Sequence, residues 1–142
     1  MYAKLQPLLL LAAAAGTALG YMDVVTHWRS QMGLPALSED GTLVGNAQKT
    51  VVDGNGQMVH QLLPGTWAQV LAPGSAEDFE YVFVGGWLCE IPDYPGLNGI
   101  CDVLGAGWDH QGQTGHAEFL TSTAYTRIGC AWYNGIWGCD LA

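Results

Sequence analysis

Cys130-Ala-Trp-Tyr-Asn-Gly-Ile-Trp-Gly-Cys139 is the stretch that decides the fold, since it predicts a β-hairpin together with its register. Asn134-Gly135 accepts the positive φ angles that both central positions of a tight two-residue turn require. The register that follows pairs residues outward from the turn: Tyr133 with Ile136, Trp132 with Trp137, Ala131 with Gly138, and Cys130 with Cys139. Because the last pair falls at a non-hydrogen-bonded position, its Cα atoms lie about 4.5 Å apart, and a disulfide can join them.

The first 20 residues have the organisation of a secretory signal peptide. Lys4 supplies the positive charge, residues 7–15 form the apolar segment, and Ala18-Leu-Gly20 is a small-residue cleavage site. A transmembrane anchor is the alternative, but the apolar run is shorter than the roughly 20 residues that a spanning helix needs. We therefore expect cleavage to leave one secreted domain, residues 21–142, in an oxidising, extracellular setting.

All four cysteines lie in this mature chain, and an even number of cysteines in a secreted protein indicates disulfides. The hairpin selects the bridge Cys130–Cys139, which leaves Cys89–Cys101 as the second bridge. A zinc site built from the four thiolates is the alternative, although the sequence has no Cys-x-x-Cys pair.

The charge of the mature chain excludes two classes of partner. Three basic residues stand against 13 acidic residues after position 20, which gives a net charge of −10. Such a surface repels nucleic acid and anionic lipid headgroups. We therefore expect neither of them as a partner, and no second apolar stretch in the sequence is long enough to act as a membrane anchor.

Two helices are predicted in the first third of the mature chain. Apolar residues recur at helical spacing in residues 22–32, and Gly33 and Pro35 end that segment. Residues 40–52 repeat the pattern, with Asp40 as the N-terminal cap. Residues 91–114 are rich in Gly and Pro and are predicted to form a long loop.

Blocks along the chain are similar to those of a known family. Gly115-His116 and Ile128-Gly-Cys-Ala131 resemble, in sequence and spacing, the Gly-His … Ile/Val-Gly-Cys-Ala signature of the CAP superfamily. Its members are the cysteine-rich secretory proteins, the antigen 5 venom allergens and the pathogenesis-related 1 proteins, and this chain looks most like its short fungal secreted members. Further blocks resemble the family: Arg29 before Gly33-Leu-Pro35, Ala47-Gln48, and Trp87-Leu-Cys-Glu90.

The resemblance implies an α/β fold, an α-β-α sandwich with a central, mostly antiparallel sheet that disulfides stabilise. The last two strands of that sheet are expected in the 126–139 hairpin, and His116 is expected to open the final sheet. Phe79–Val84 has strand propensity. Because the family's Trp-x-x-Glu block closes a helix, we nevertheless expect residues 76–90 to be helical.

The resemblance also implies a central cleft lined by His60, Gln69, Glu90 and His116. Many relatives have two histidines and two glutamates there, and some of them bind a divalent metal such as zinc or magnesium. Gln69 stands at the position of the first glutamate, and its amide is neutral and carries donors. Two imidazoles and one carboxylate can ligate zinc, so the alternatives are a weakened metal site and a cleft whose polar groups satisfy one another.

Three functions remain open after this comparison of residues. Several relatives are associated with sterol or fatty-acid binding, and an aromatic groove would suit an apolar ligand; its candidate residues are Trp67, Tyr81, Phe83, Trp87, Tyr94 and Trp108. The other two functions are a secreted effector or antimicrobial protein with an extracellular protein partner, and a metal-dependent hydrolase at the His/Glu cleft. The sequence has neither His-Glu-x-x-His nor Gly-x-Ser-x-Gly, so we expect a non-enzymatic binder of a sterol or small lipid.

Overall fold

The computed structural model describes residues 20–142. The predicted signal peptide, residues 1–20, lies outside this range apart from Gly20, and stays a prediction. Helix α1 spans residues 20–31. Its apolar face is buried, and it ends at Gly33, whose φ of 70° is a left-handed conformation that glycine adopts without strain.

Helix α2 (Gly41–Gly54) follows the predicted pattern closely. The Asp40 carboxylate accepts a hydrogen bond from Leu43 N at 3.1 Å, which satisfies one of the free N–H groups of the first turn. Asn55, with a φ of 45°, takes the left-handed conformation that ends the helix. The predicted cap is therefore confirmed.

The sheet has four strands, β1 (Ser38–Glu39), β2 (Ala68–Pro73), β3 (Arg127–Tyr133) and β4 (Ile136–Leu141), in the order β1-β3-β4-β2. Only the short β1 pairs in parallel; the β2–β4 and β3–β4 pairs are antiparallel. All four predicted pairs of the hairpin are present, and the same register continues through two further pairs. The Cys130 and Cys139 Cα atoms lie 4.1 Å apart, and their side chains form a disulfide.

Helices cover both faces of this sheet, as the α-β-α sandwich requires. Helix α2 packs on the face that carries Leu71 and Ile136, with Val51 between them. Helix α1 and the segment 79–90 share one apolar core with the opposite face, to which the Cys130–Cys139 bridge belongs. The expected fold class is confirmed.

The expected helix over residues 76–90 begins only at residue 79, and the segment 79–90 is not an α-helix throughout. A π-helix, Tyr81–Trp87, leads into a single 3-10 turn, Leu88–Glu90. Its strand-forming residues are buried, since Val82, Phe83 and Val84 are each 0% exposed. Burial on all sides explains why the segment shows no clear helical periodicity in the sequence.

The predicted loop 91–114 contains one short helix, α3 (Cys101–Leu104), which the second disulfide, Cys89–Cys101, ties to the 3-10 turn. The expectation that His116 opens the final sheet was wrong. His116 lies in helix α4 (Gly115–Thr121), and strand β3 begins six residues after that helix. The physical reason is the spacing of Ala117 and Leu120, which buries one helical face of this segment in the protein.

Arg29 fixes α4 relative to the first helix. Its side chain is 1% exposed; Nε donates to the Pro35 carbonyl and Nη1 to the Leu120 carbonyl, both at 2.8 Å. Burial lowers the pKa of this guanidinium. Across residues 20–142, the longest apolar helices fall short of what a membrane crossing demands.

Candidate functional site

An open cavity of about 430 Å³ lies between strand β2, helix α4 and the segments that precede them. Three of the four residues expected in the cleft line this cavity: His60, Gln69 and His116. Phe119 and the segment 112–115 complete its walls. Glu90, the fourth, lies behind His116 rather than on this wall. We refer to this cavity as the cleft.

Glu90 anchors His116 at the start of helix α4. Its Oε2 lies 2.6 Å from His116 Nδ1, and its Oε1 accepts the backbone N–H of Ala117 at 3.0 Å. The Glu90 side chain is 2% exposed and that of His116 is 27% exposed. Because a carboxylate only accepts, Nδ1 is the protonated nitrogen and Nε2 is left for the cleft.

Gln69 is buried on strand β2, and its amide is held by the backbone of Gln61. Gln61 N donates to Gln69 Oε1 at 3.1 Å, while Gln69 Nε2 donates to Gln61 O at 3.0 Å. An exchange of the amide oxygen and nitrogen would place donor against donor and acceptor against acceptor. The backbone therefore determines which end of the amide is oxygen.

Asp140 lies behind Gln69 and is 0% exposed. Its Oδ1 accepts from Gln69 Nε2 at 2.9 Å, and its Oδ2 accepts from Thr66 Oγ1 at 2.7 Å. Burial raises the pKa of the Asp140 carboxyl, although these hydrogen bonds act in the opposite direction. A carboxylate thus lies deeper in the protein than the Gln69 amide and is hydrogen-bonded to it.

The orientation of Gln69 decides the state of His60. Its Oε1 lies 2.9 Å from His60 Nδ1, and an amide oxygen can only accept. Nδ1 therefore carries the hydrogen, and the Nε2 of the neutral ring has a free lone pair. Within residues 20–142 no side chain or backbone group bonds to this Nε2, and His60 is exposed on the cleft wall.

An apolar shelf continues the cleft on the side of His60. A shallow cavity of about 230 Å³ shares His60, Gln69 and Phe119 with the cleft and adds Leu62 and Trp67. The side chains of Leu62, Trp67 and Phe119 are 64%, 75% and 40% exposed. We refer to these three residues as the shelf. Sequence reasoning missed Leu62 and Phe119, because their exposure is visible only in the folded protein.

The six aromatic residues expected to form one groove are spread over several places. Phe83 and Trp87 are 0% and 1% exposed and belong to the core, where Trp87 Nε1 donates to the Leu71 carbonyl. Tyr81 and Trp108 pack against each other with ring centroids 5.2 Å apart. Tyr94 lines a separate cavity beside the Cys89–Cys101 bridge. Only Trp67 of the six lies on the shelf.

Two of those rings border a further cavity of about 320 Å³ on the far side of His116. Trp87 and Trp108 line it together with Glu90 and His110. His110 Nε2 donates to the Gly85 carbonyl at 2.7 Å, so this histidine holds the π-helix and the segment 105–114 together.

The polar groups of the cleft do not fit a three-ligand zinc centre. Glu90 is 2% exposed and lies behind His116, and Gln69 Oε1 already accepts two hydrogen bonds. This leaves His60 Nε2 and His116 Nε2 as the available ligand atoms. Catalytic zinc usually has three protein ligands. In the part of the chain that the structure describes, no three His, Cys, Asp or Glu residues are grouped so that they could hold a metal ion.

The chain also matches the model of a known protein family. The model of the family described as "CAP: Cysteine-rich secretory protein family" matches residues 22–140, which run from helix α1 to the end of the sheet. Among curated proteins, no sequence matches this chain.

Proposed function

Because this chain belongs to the cysteine-rich secretory protein (CAP) family, we propose that it is a secreted, non-enzymatic protein that binds a sterol or a similar small amphipathic lipid. CAP proteins are generally secreted and generally non-catalytic. The proposal places the apolar body of the ligand on the shelf and its polar head in the cleft.

One observation carries this proposal: the shelf and the cleft are continuous. The shallow cavity that the shelf lines shares His60, Gln69 and Phe119 with the cleft, so a ligand that covers Trp67 reaches the two histidines with its other end. An apolar wall with a few convergent polar groups is the usual composition of a small-molecule site. Covering an exposed side chain such as Trp67 or Leu62 stabilises a complex by about 1.5–3 kcal/mol.

The test is sterol binding by the mature protein and by Trp67→Ala. Native mass spectrometry of the oxidised protein with ergosterol detects a stoichiometric adduct, and quenching of tryptophan fluorescence gives the affinity. We expect Trp67→Ala to bind at least about tenfold more weakly, because about 1.4 kcal/mol or more of apolar contact is lost.

Tyr133→Ala is the matched control for this substitution. Tyr133 is 43% exposed, comes from the hairpin and lines neither the cleft nor the shelf. The control should bind sterol as the unchanged protein does. Equal affinity of Trp67→Ala and the unchanged protein would contradict the placement on the shelf. A protein that binds no sterol or other lipid would instead favour a protein partner, as an effector has.

A further inference from the structure

We infer that the cleft prefers a ligand with a hydroxyl head over one with a carboxylate head, and that Gln69, backed by the buried Asp140, is the positioning residue that sets this preference. The inference rests on the proposed function and deepens it, because it names the chemistry of the polar end of the ligand. It depends on the hydrogen-bond direction at His60.

The first step concerns why residue 69 is an amide. Gln69 Nε2 faces three acceptors: Asp140 Oδ1 at 2.9 Å, the Gln61 carbonyl at 3.0 Å and Thr50 Oγ1 at 3.1 Å. A glutamate would direct an oxygen at the same acceptors, with the buried Asp140 carboxyl among them. Two carboxylates at that distance cannot both ionise without a large cost. Asp140 and the Gln61 carbonyl thus require a donor at position 69.

The second step is the effect of these hydrogen bonds on His60, which lies on the cleft wall. Since the Nε2 end of Gln69 donates inward, its Oε1 accepts from His60 Nδ1 at 2.9 Å. His60 then presents the lone pair of Nε2 to the ligand. A hydroxyl can donate to this lone pair, whereas a carboxylate meets it with a lone pair of its own.

The third step is the difference between the two histidines. His116 has the Glu90 carboxylate as its Nδ1 partner, whereas His60 has the neutral amide of Gln69. The head-group preference is therefore set at His60. A hydroxyl donates to the Nε2 lone pair of His60, whereas a carboxylate has no hydrogen to donate to it. The net charge of −10 on the mature chain opposes an anionic head in addition.

The experiment compares 1-dodecanol with dodecanoate at neutral pH, because the two ligands have the same chain and differ only in the head group. Binding to the oxidised mature protein is followed by tryptophan fluorescence and native mass spectrometry. We expect the alcohol to bind at least about tenfold more tightly, which is the effect of one mismatched hydrogen bond.

The double variant Gln69→Glu with Asp140→Asn tests the positioning role. It moves the carboxylate from position 140 to position 69 and leaves the net charge of the chain unchanged. The Gln61 carbonyl loses its donor in this variant, but that loss is the same for both ligands and does not change the ratio of their affinities. His60 then gains an anionic partner, its imidazolium form is favoured, and Nε2 becomes a donor. The ratio of alcohol to carboxylate affinity should fall about tenfold. A role limited to folding would instead lower both affinities together and keep the ratio.

The ¹⁵N NMR spectrum of His60 gives a test that needs neither a variant nor a ligand. The inference requires the neutral Nδ1–H tautomer, and a spectrum of the Nε2–H tautomer would overturn it. Dodecanoate binding as tightly as 1-dodecanol would overturn the head-group preference while the proposed function stands. If sterol, alcohol and acid all fail to bind, the proposed function fails, and the tautomer still decides the assignment of His60.

Discussion

At the scale of single residues, Gln69 shows how a departure from a family pattern is compensated. The sequence shows only that a neutral amide replaces an acid at this position. In the structure, the carboxylate of Asp140 lies behind Gln69. The Gln69 amide is hydrogen-bonded both to this carboxylate and to His60. Gln69 and Asp140 depend on each other, because a buried carboxylate needs donors and a second carboxylate at position 69 would have none.

The buried Asp140 makes stability depend on pH in a predictable direction. Because its folded pKa is raised above the ordinary value of 3.8, the folded state holds the proton more tightly than the unfolded state does. The free energy of unfolding therefore falls as pH rises from about 3.8 through the folded pKa, by about 1.4 kcal/mol for each unit between the two values.

Asp140→Asn tests this prediction, because asparagine resembles the protonated acid. Urea unfolding of both proteins between about pH 3 and pH 7 should show a difference in stability, unchanged protein minus variant, that decreases as pH rises. Hydrogen bonds lower the pKa values of Asp40 and Asp53, so the contribution of these two residues to stability increases with pH. Because both proteins contain them, their contributions cancel in the difference. A difference that is constant with pH would contradict the assignment.

At the scale of elements, the contact of helix α2 with strand β3 depends on one glycine. A Cβ at Gly129 would lie 2.2 Å from the backbone nitrogen of Val44, in the first turns of α2. The helix backbone cannot move away without losing its packing on the sheet. Gly129, part of the Ile128–Ala131 block, is therefore required by close approach rather than by its own φ angle.

We expect Gly129→Ala to lower the free energy of unfolding by about 3 kcal/mol, since overpacking against backbone cannot relax by a rotamer change. Gly45→Ala is the matched control. It lies inside α2, where a Cβ meets nothing within 4 Å, so it should stabilise the protein by about 0.5–1 kcal/mol. Thermal or urea unfolding measures both changes. A loss for Gly129→Ala below about 1 kcal/mol would show that α2 moves freely over the sheet.

The π-helix is the element that the sequence describes least well. Gly85 and Gly86 leave room for the segment that follows: a Cβ at Gly85 would lie 1.9 Å from the Leu104 carbonyl oxygen, and one at Gly86 would lie 2.9 Å from the Trp108 ring. His110 Nε2 donates a hydrogen bond to the Gly85 carbonyl. These partners are far along the chain, so local propensity predicts helix or strand but not this geometry.

At the scale of the whole molecule, the excess of acidic residues opposes compactness. Within residues 20–142, Lys49 pairs with the exposed Asp53 and Arg127 with the half-buried Asp40, and Arg29 is buried against carbonyl groups. Most acidic residues therefore have no cationic partner, and their mutual repulsion destabilises the folded state. Salt screens this repulsion, because the Debye length is about 10 Å at 0.1 M.

Raising NaCl from about 10 mM to about 150 mM should accordingly stabilise the mature protein by about 1 kcal/mol, a shift of several degrees in Tm. Calorimetry of the protein with intact disulfides measures it. The same comparison near the isoelectric point of about 4.4 is the control, where the salt effect should shrink. A Tm that decreases with salt at neutral pH would show that attractive ion pairs outweigh the repulsion.

The sequence by itself determined the hairpin and its register, both disulfide pairs, the cap of α2 and, through the family blocks, the sandwich. These features depend on backbone preferences, on strand alternation and on residues at short, fixed spacing. Only the tertiary structure decided that Phe83 and Trp87 are core, that Leu62 and Phe119 form the shelf with Trp67, and that Asp140 supports Gln69 across 71 residues. Such contacts depend on which distant segments the packed sheet brings together, and no local pattern records them.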